Sequence, residues 1–227
     1  MVKSLSDKNK LGLIKKDYKK EFLKCLESIN PYANTYNVFQ DFLTLASLSI
    51  KNALVKSQEI ENEYMEVVSK YKDPNKFSQL FGILALALEE KMQDFLGEIY
   101  MQTSLGNKHT GQFFTPYHIS HFMAECAIGD KNLEKEIKEK GYIKISEPCC
   151  GAGGMIIAAS EVLLKRDINP QQYMRFTGVD IDIKCCQMTY IQTTLLGLRG
   201  SVIHGNSLTL ESWDIFTTPM TYFPLVA

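Results

Sequence analysis

Ile145-Ser146-Glu147-Pro148-Cys149-Cys150-Gly151-Ala152-Gly153-Gly154 joins a short β-rich apolar run, Tyr142, Ile143 and Ile145, to an apolar stretch, Met155–Ala159 and Val162–Leu164, with the spacing of a mostly buried helix. A strand, a glycine turn and a helix in that order form a cradle for a nucleotide-like ligand. Glycines admit close backbone approach, and the first N–H groups of the helix face polar atoms of the ligand. The same kind of turn also serves simply to tighten strand–helix packing, so the neighbouring segments decide. Glu147 closes the strand, where its carboxylate can accept from a cationic amino group or orient the loop, and Pro148 fixes the exit of the chain.

Phe176-Thr177-Gly178-Val179-Asp180-Ile181-Asp182 reads as a second strand ending in acids. Asp180 lies about 27 positions past Gly153, where a doubly wound sheet places a carboxylate against the two hydroxyls of a ribose. Asp182 suits the N-cap of a helix through Cys185, Met188, Ile191 and Leu195 that stops at Gly197. A third strand follows at Ser201–His204. Asn206 falls at its carboxyl end, where an amide offers both donor and acceptor to an adenine edge. Upstream, Phe113-Phe114-Thr115-Pro116 precedes Ile119, Phe122, Met123, Cys126 and Ala127 at helical spacing. Thr115 is expected as N-cap and Pro116 at the first helical position, which exposes the positive helix end to a carboxylate. Taken alone, that segment means no more than a well-capped helix.

At 227 residues and 45% hydrophobic, the chain can bury a full core. A net charge of −1 gives no global attraction to nucleic acid, so any DNA contact has to come from a local patch. The first 24 residues carry eight lysines against three acids, a bias read as a solvated lysine face in preference to a phosphate-binding arm. The polar N-terminus lacks the apolar core of a secretory signal, and the longest apolar run, Ile83–Leu88, is far below a bilayer span, so no membrane is expected. Six cysteines, four of them in the adjacent pairs Cys149-Cys150 and Cys185-Cys186, do not resemble a secreted disulfide framework, and reducing cytoplasm is the expected compartment. Adjacent cysteines lack common zinc spacing, and His118 and His121 lack partner ligands in sequence, so no metal is assigned.

From Leu11 to Tyr100 the pattern is helical, with breaks at Asn30-Pro31 and Asp73-Pro74-Asn75. Tyr18, Phe22, Cys25 and Leu26 share one face and Phe39, Phe42, Leu43, Ala46 and Ile50 another, while Leu80, Leu84, Leu88, Phe95, Leu96 and Ile99 are expected inward. A polar, turn-rich connector, Leu105–Gln112, separates this layer from the strands. The predicted organisation is a helical region over residues 1–104 and a partial ligand-binding domain over residues 105–227.

Together these segments resemble the adenine-N6 DNA methyltransferases, most closely the modification subunits of type I restriction–modification systems. The likeness begins with Asp94-Phe95-Leu96-Gly97-Glu98-Ile99-Tyr100, similar to the Asp-x-Leu-Gly-x-x-Tyr that closes the family's helical region. It continues in Gly111-Gln112-Phe113-Phe114-Thr115-Pro116, similar to the segment that contacts the methionine part of S-adenosylmethionine. Glu147–Gly154 resembles the family's Asp-Pro-Ala-Cys-Gly-Ser-Gly-Gly cofactor loop with Glu for Asp, Gly178–Asp182 the ribose-binding strand end, and Gly205-Asn206-Ser207-Leu208 the adenine-binding turn with Asn for Asp.

The resemblance implies a partial Rossmann-like, class I S-adenosylmethionine-dependent methyltransferase sheet after an N-terminal helical region. It implies Phe114, Thr115, Pro116, Glu147, Cys149, Gly151, Gly153, Asp180, Ile181, Asn206 and Ser207 as cofactor contacts. DNA is the implied substrate, with a partner subunit or self-association covering an open sheet edge. The family's Asn-Pro-Pro-aromatic motif, which accepts from the adenine N6 amino group and stacks on the flipped base, is absent. Its nearest imitation is Thr218-Pro219-Met220-Thr221, which makes Thr218 and Pro219 the candidate catalytic pair. Two readings stay open: a methyltransferase that works alone or with a partner, and a catalytically silent binding or assembly module. A nicotinamide-binding protein fits less well, because Gly-x-Gly-x-x-Gly is missing.

Overall fold

The computed structural model describes residues 16–104, 113–129 and 132–224. The start of the helical pattern at Leu11, the lysines before residue 16 and the Leu105–Gln112 connector lie outside them. Five helices come first: α1 (Tyr18–Ile29), α2 (Thr35–Val55), α3 (Gln58–Val68), α4 (Asn75–Glu90) and α5 (Phe95–Ser104). The breaks at Pro31 and Pro74 fall as the sequence predicts. A further break separates α2 from α3, where Lys56 takes a left-handed conformation (φ 55°) and the Ser57 hydroxyl accepts from Glu59 N and Ile60 N. That break is invisible to hydrophobic periodicity, because the turn is made by a capping serine rather than by proline or glycine.

Phe22 holds the helical layer together. It is fully buried and meets Phe42 and Phe95 edge-on at centroid distances of 5.4 and 5.5 Å, geometry worth roughly 0.5–1.5 kcal/mol per pair beyond area burial. The buried core continues without interruption from Phe22 in α1 to Phe216 near the end of the chain.

The second half contains α6 (Tyr117–Ile128), α7 (Leu133–Lys140), β1 (Ile143–Glu147), α8 (Gly154–Lys165), the single turn α9 (Pro170–Tyr173), β2 (Met174–Asp180), α10 (Ile183–Leu195), β3 (Gly200–Asn206) and β4 (Glu211–Thr217). The sheet order is β1-β2-β3-β4, parallel through β3, with β4 antiparallel to β3. This is the expected architecture, a helical region followed by a partial Rossmann-like sheet. Asp182 caps α10 by accepting from Lys184 N, and Gly197 (φ 68°) ends the segment, both as predicted.

Helices α8 and α10 lie on one face of the sheet. A Cβ built on Gly178 would touch Ile156 of α8 at 3.2 Å, its register partner Val202 pairs with Phe216, and the Phe216 ring lies 5.3 Å from Tyr190 of α10. Right-handed crossovers between adjacent parallel strands require this arrangement. The opposite face, with Thr177, Val179, Ser201, Ile203 and Ile215, is only partly covered among the described residues, and Ile215 is 50% exposed. Parallel strands are ordinarily covered on both faces. The edge of β1 away from β2 is also unpaired among the described strands.

Candidate cofactor-binding site

Parallel pairing brings the carboxyl ends of the three strands to one rim. Glu147 pairs with Gly178, and Asp180 pairs with His204, two residues before Asn206. The glycine loop is fixed against β2 when Cys150 N donates to Val179 O at 2.8 Å. Gly151 N then donates to Asp180 Oδ2 at 2.8 Å, and Asp182 N donates to Oδ1 at 2.9 Å. Each carboxylate oxygen keeps a further lone pair, so Asp180 orients the loop and can still accept from ribose hydroxyls. Glu147 Oε1 accepts from Cys149 N at 3.2 Å. Of the two roles open to it in the sequence, loop orientation is the one its geometry serves.

The glycines are needed where they stand. Gly151 (φ 54°) and Gly153 (φ 93°) are left-handed, and an added Cβ would lie 3.2 Å from the Phe114 ring and 3.1 Å from Thr189 Oγ1 respectively. Phe114 is wedged between Gly151 and Tyr100, whose ring centroid is 5.0 Å away. Helix α6 begins one residue later than predicted. Pro116 is the N-cap, because its carbonyl accepts from Ile119 N and Ser120 N, and no side chain caps the helix. Thr115, one residue further out, is exposed, which leaves its hydroxyl available at the positive helix end.

Phe114, Thr115, Cys149, Gly151, Asp94 and Ser120 line one cleft of about 130 Å³. Whole-ligand pockets measure roughly 300–1,000 Å³, so this hollow suits the amino-acid end of a ligand, with a nucleoside on the open rim toward Asp180. Ile181, 61% exposed next to Asp180, offers an apolar surface there. Asn206 shares the rim, but its Oδ1 is turned into the chain reversal, accepting from Leu208 N at 2.9 Å and Thr209 N at 3.3 Å. That leaves its amide nitrogen to face a ligand. Ser207, half-buried, opens the same reversal.

Thr218 and Pro219 are elsewhere. Because β4 runs back along β3, pairing Glu211 with Asn206 and Thr217 with Ser201, they lie beyond the opposite ends of the strands, six residues or roughly 20 Å from the rim. Thr218 is fully buried, and its Oγ1 donates to Leu198 O at 2.7 Å and accepts from Gly200 N at 3.1 Å. Pro219 opens a single 3-10 turn, Pro219–Tyr222, pinned by Arg199 Nη1 to Met220 O and Phe223 O. The pair acts as a structural staple, and the sequence expectation of a catalytic role is corrected on that ground.

Three buried residues at the site carry no role in the sequence reading. Gln192 Nε2 donates to Asp94 Oδ1 and to Ala152 O, while its Oε1 accepts from Leu96 N at 3.0 Å. Asp94 and Ser120 form the floor of the cleft. Asp94 stands in the segment similar to Asp-x-Leu-Gly-x-x-Tyr, but its burial and its partner 98 positions away are visible only in three dimensions.

The description "N-6 DNA Methylase" belongs to the family model that matches residues 91–222, more than half of the chain and all of the elements just described. The chain belongs to the N-6 DNA methylase family. The methylase subunit of the type I restriction enzyme MpnII from Mycoplasma pneumoniae is 26% identical over 121 residues, 53% of this chain and 20% of that subunit. This N-6 DNA methylase chain therefore spans about a fifth of that relative's length. A crystal structure of a chain assigned as a class I S-adenosylmethionine-dependent methyltransferase from Listeria monocytogenes aligns over 87% of this chain and 56% of its own, with a TM-score of 0.47 and 16% identity.

Family membership implies S-adenosylmethionine as the cofactor, and the residues present fit it. The left-handed glycines keep the loop free of side chains, the Thr115 hydroxyl and the start of α6 suit a carboxylate, and Asp180 suits a diol. When bound, the cofactor supplies an electrophilic sulfonium methyl group. Among the described residues no helix is long and apolar enough to cross a membrane.

Proposed function

We propose that this chain is the cofactor-holding part of a DNA adenine-N6 methyltransferase, and that methyl transfer needs acceptor groups from a partner. The helical region, residues 1–104, would buttress the partial cofactor domain, residues 105–227, through α5 and Gln192. The observation that carries the reading is the meeting of Thr115, Gly151 and the Asp180-anchored loop around one cleft. Attack by N6 on a sulfonium methyl requires positioning and acceptance of the amino hydrogens more than a strong base. Thr218, the acceptor the sequence offered, is sealed at the far end of the strands and does not reach the rim. The partly bare sheet face and the free edge of β1 support a protein partner or a second copy as the source. The N-6 DNA methylase family supports DNA as substrate, and the relative's description as the methylase subunit of a type I restriction enzyme supports assembly with other subunits; the cytoplasm is the compartment proposed.

A second reading, a silent S-adenosylmethionine-binding or assembly module, is favoured by the same burial of Thr218. Calorimetric titration with S-adenosylmethionine and with NAD is the first test, and a preference for NAD ends both readings. A labelled-methyl transfer assay on mixed-sequence DNA, with and without candidate partner subunits, separates them. Incorporation that appears with a partner and disappears in Asp180→Ala supports the methyltransferase. No incorporation under any pairing leaves the module.

A further inference from the structure

Asp94 is 4% exposed, and among the described residues no salt bridge reaches it. Its Oδ1 accepts from Gly97 N and Gln192 Nε2, both at 2.9 Å, and these donors are neutral. The nearby Lys19 is already paired with Glu98. Among the described residues nothing donates to Oδ2. Ser120 is 1% exposed, and among the described residues its Oγ has no hydrogen-bond partner either. Both atoms flank Gly154: a Cβ built there would lie 3.2 Å from Asp94 Oδ2 and 3.5 Å from Ser120 Oγ. Neither is sealed, since the sole buried side-chain oxygen lacking both a partner and solvent access among the described residues is Thr194 Oγ1. Both therefore open onto the cleft that Thr115 and Gly151 also line.

A buried carboxylate held only by neutral donors is costly unless a positive charge reaches it. The cleft has the size of an amino-acid group, with an anion-favouring helix start at Thr115 and a carboxyl floor at Asp94. One end attracts a carboxylate and the other an ammonium. We propose that Asp94 Oδ2 and Ser120 Oγ are the acceptors for the α-ammonium of the cofactor's methionine part, which makes Asp94 a specificity determinant for a zwitterionic ligand. This rests on the S-adenosylmethionine reading and deepens it. It leaves Glu147, whose Oε1 accepts from Cys149 N, to orient the glycine loop.

The test is calorimetry on the full chain with S-adenosylhomocysteine and with its desamino analogue, in wild type, D94N and S120A. Wild type is expected to bind S-adenosylhomocysteine roughly 10- to 100-fold more tightly than the desamino analogue, the range of a charge-assisted hydrogen bond. D94N is expected to lose most of that preference while binding the desamino analogue within about twofold of wild type. S120A loses less, roughly three- to tenfold for the amine-bearing ligand. Equal weakening of both ligands by D94N would assign Asp94 a purely structural role and overturn the proposal. So would a wild-type preference below about threefold, a measurement that needs no variant and stands even if D94N does not fold. Failure of wild type to bind S-adenosylhomocysteine at all would instead sink the cofactor reading on which the proposal stands.

Discussion

Gln192 donates from Nε2 to Asp94 Oδ1 at 2.9 Å, joining two residues 98 positions apart. The same side chain also holds Ala152 O of the glycine loop and Leu96 N of α5, so one fully buried amide ties the helical layer to the cofactor loop. Replacing it with leucine keeps the volume but orphans a buried N–H, a buried carbonyl and part of a carboxylate. Each orphan costs on the order of 1–3 kcal/mol. Gln192→Leu is therefore expected to destabilise the chain by at least about 3 kcal/mol in urea unfolding. A loss under about 1 kcal/mol would mean that the two halves are held together by other contacts.

Asp94 makes stability depend on pH in an unusual direction. Burial pushes its carboxyl pKa up, against the smaller opposing effect of the Gln192 and Gly97 hydrogen bonds. The folded state thus holds the proton more tightly than the unfolded chain. From about pH 4 upward, until the raised value is passed, the folded form binds more protons, and the free energy of unfolding falls as pH rises. Urea titrations at intervals between pH 4 and 8 should show D94N gaining on wild type as pH increases. Saturating S-adenosylhomocysteine should recover part of the wild-type loss. A pH-independent difference between the two proteins would contradict the burial argument.

The thiols should divide by environment. Cys126 and Cys149 are exposed, whereas burial pushes Cys150 up to about 12 and raises Cys185 and Cys186 as well. At pH 8 a disulfide reagent is expected to consume two thiols rapidly, to react more slowly with the half-buried Cys25, whose pKa burial also raises, and to reach the three buried ones only on unfolding. S-adenosylhomocysteine should slow one of the fast pair, Cys149, because it lines the cleft. Protection of Cys126 instead would place the ligand elsewhere.

Much of this site was legible in the sequence, because it is built from local devices. A left-handed glycine, a capping aspartate and a strand-ending acid act within a few residues, and Gly153, Asp182 and Asp180 stand where spacing put them. What was not legible depends on partners far along the chain. Ser207-Leu208-Thr209-Leu210 has no Asn-Gly or Gly-Gly signal, yet it reverses the chain. Leu210 adopts φ 62°, and Asn206 Oδ1 caps the turn. Nothing local announces that turn, and so nothing local announced that Thr218 would be carried to the wrong end of the strands. The one-residue offset at Thr115 has a smaller cause. The Pro116 carbonyl, not the threonine hydroxyl, receives the first helical N–H groups.

Thr218 gives a direct check on that correction. Thr218→Val removes the oxygen that receives Gly200 N and donates to Leu198 O while keeping the shape of the side chain. A loss of roughly 1–3 kcal/mol of stability is expected, with affinity for S-adenosylhomocysteine within about twofold of wild type. A variant of normal stability that lost methyl transfer in a reconstituted assay would restore the catalytic role assigned from sequence.

The two left-handed glycines should fail in different ways. At Gly153 a Cβ would press on Thr189, including its Cα at 3.3 Å, and the backbone of α10 cannot yield cheaply. Gly153→Ala is therefore expected to cost about 2–3 kcal/mol through strain and overpacking, with whatever folds binding the cofactor nearly normally. At Gly151 the obstacle is the ring of Phe114, a half-buried side chain that can turn away, and φ 54° is tolerable to alanine at roughly 1 kcal/mol. Yet that ring and that loop border the cleft, so Gly151→Ala should weaken S-adenosylhomocysteine at least tenfold while the fold survives. Paired urea and calorimetric measurements decide it. If Gly151→Ala binds normally, the loop is a packing device, and the ligand does not lie against it.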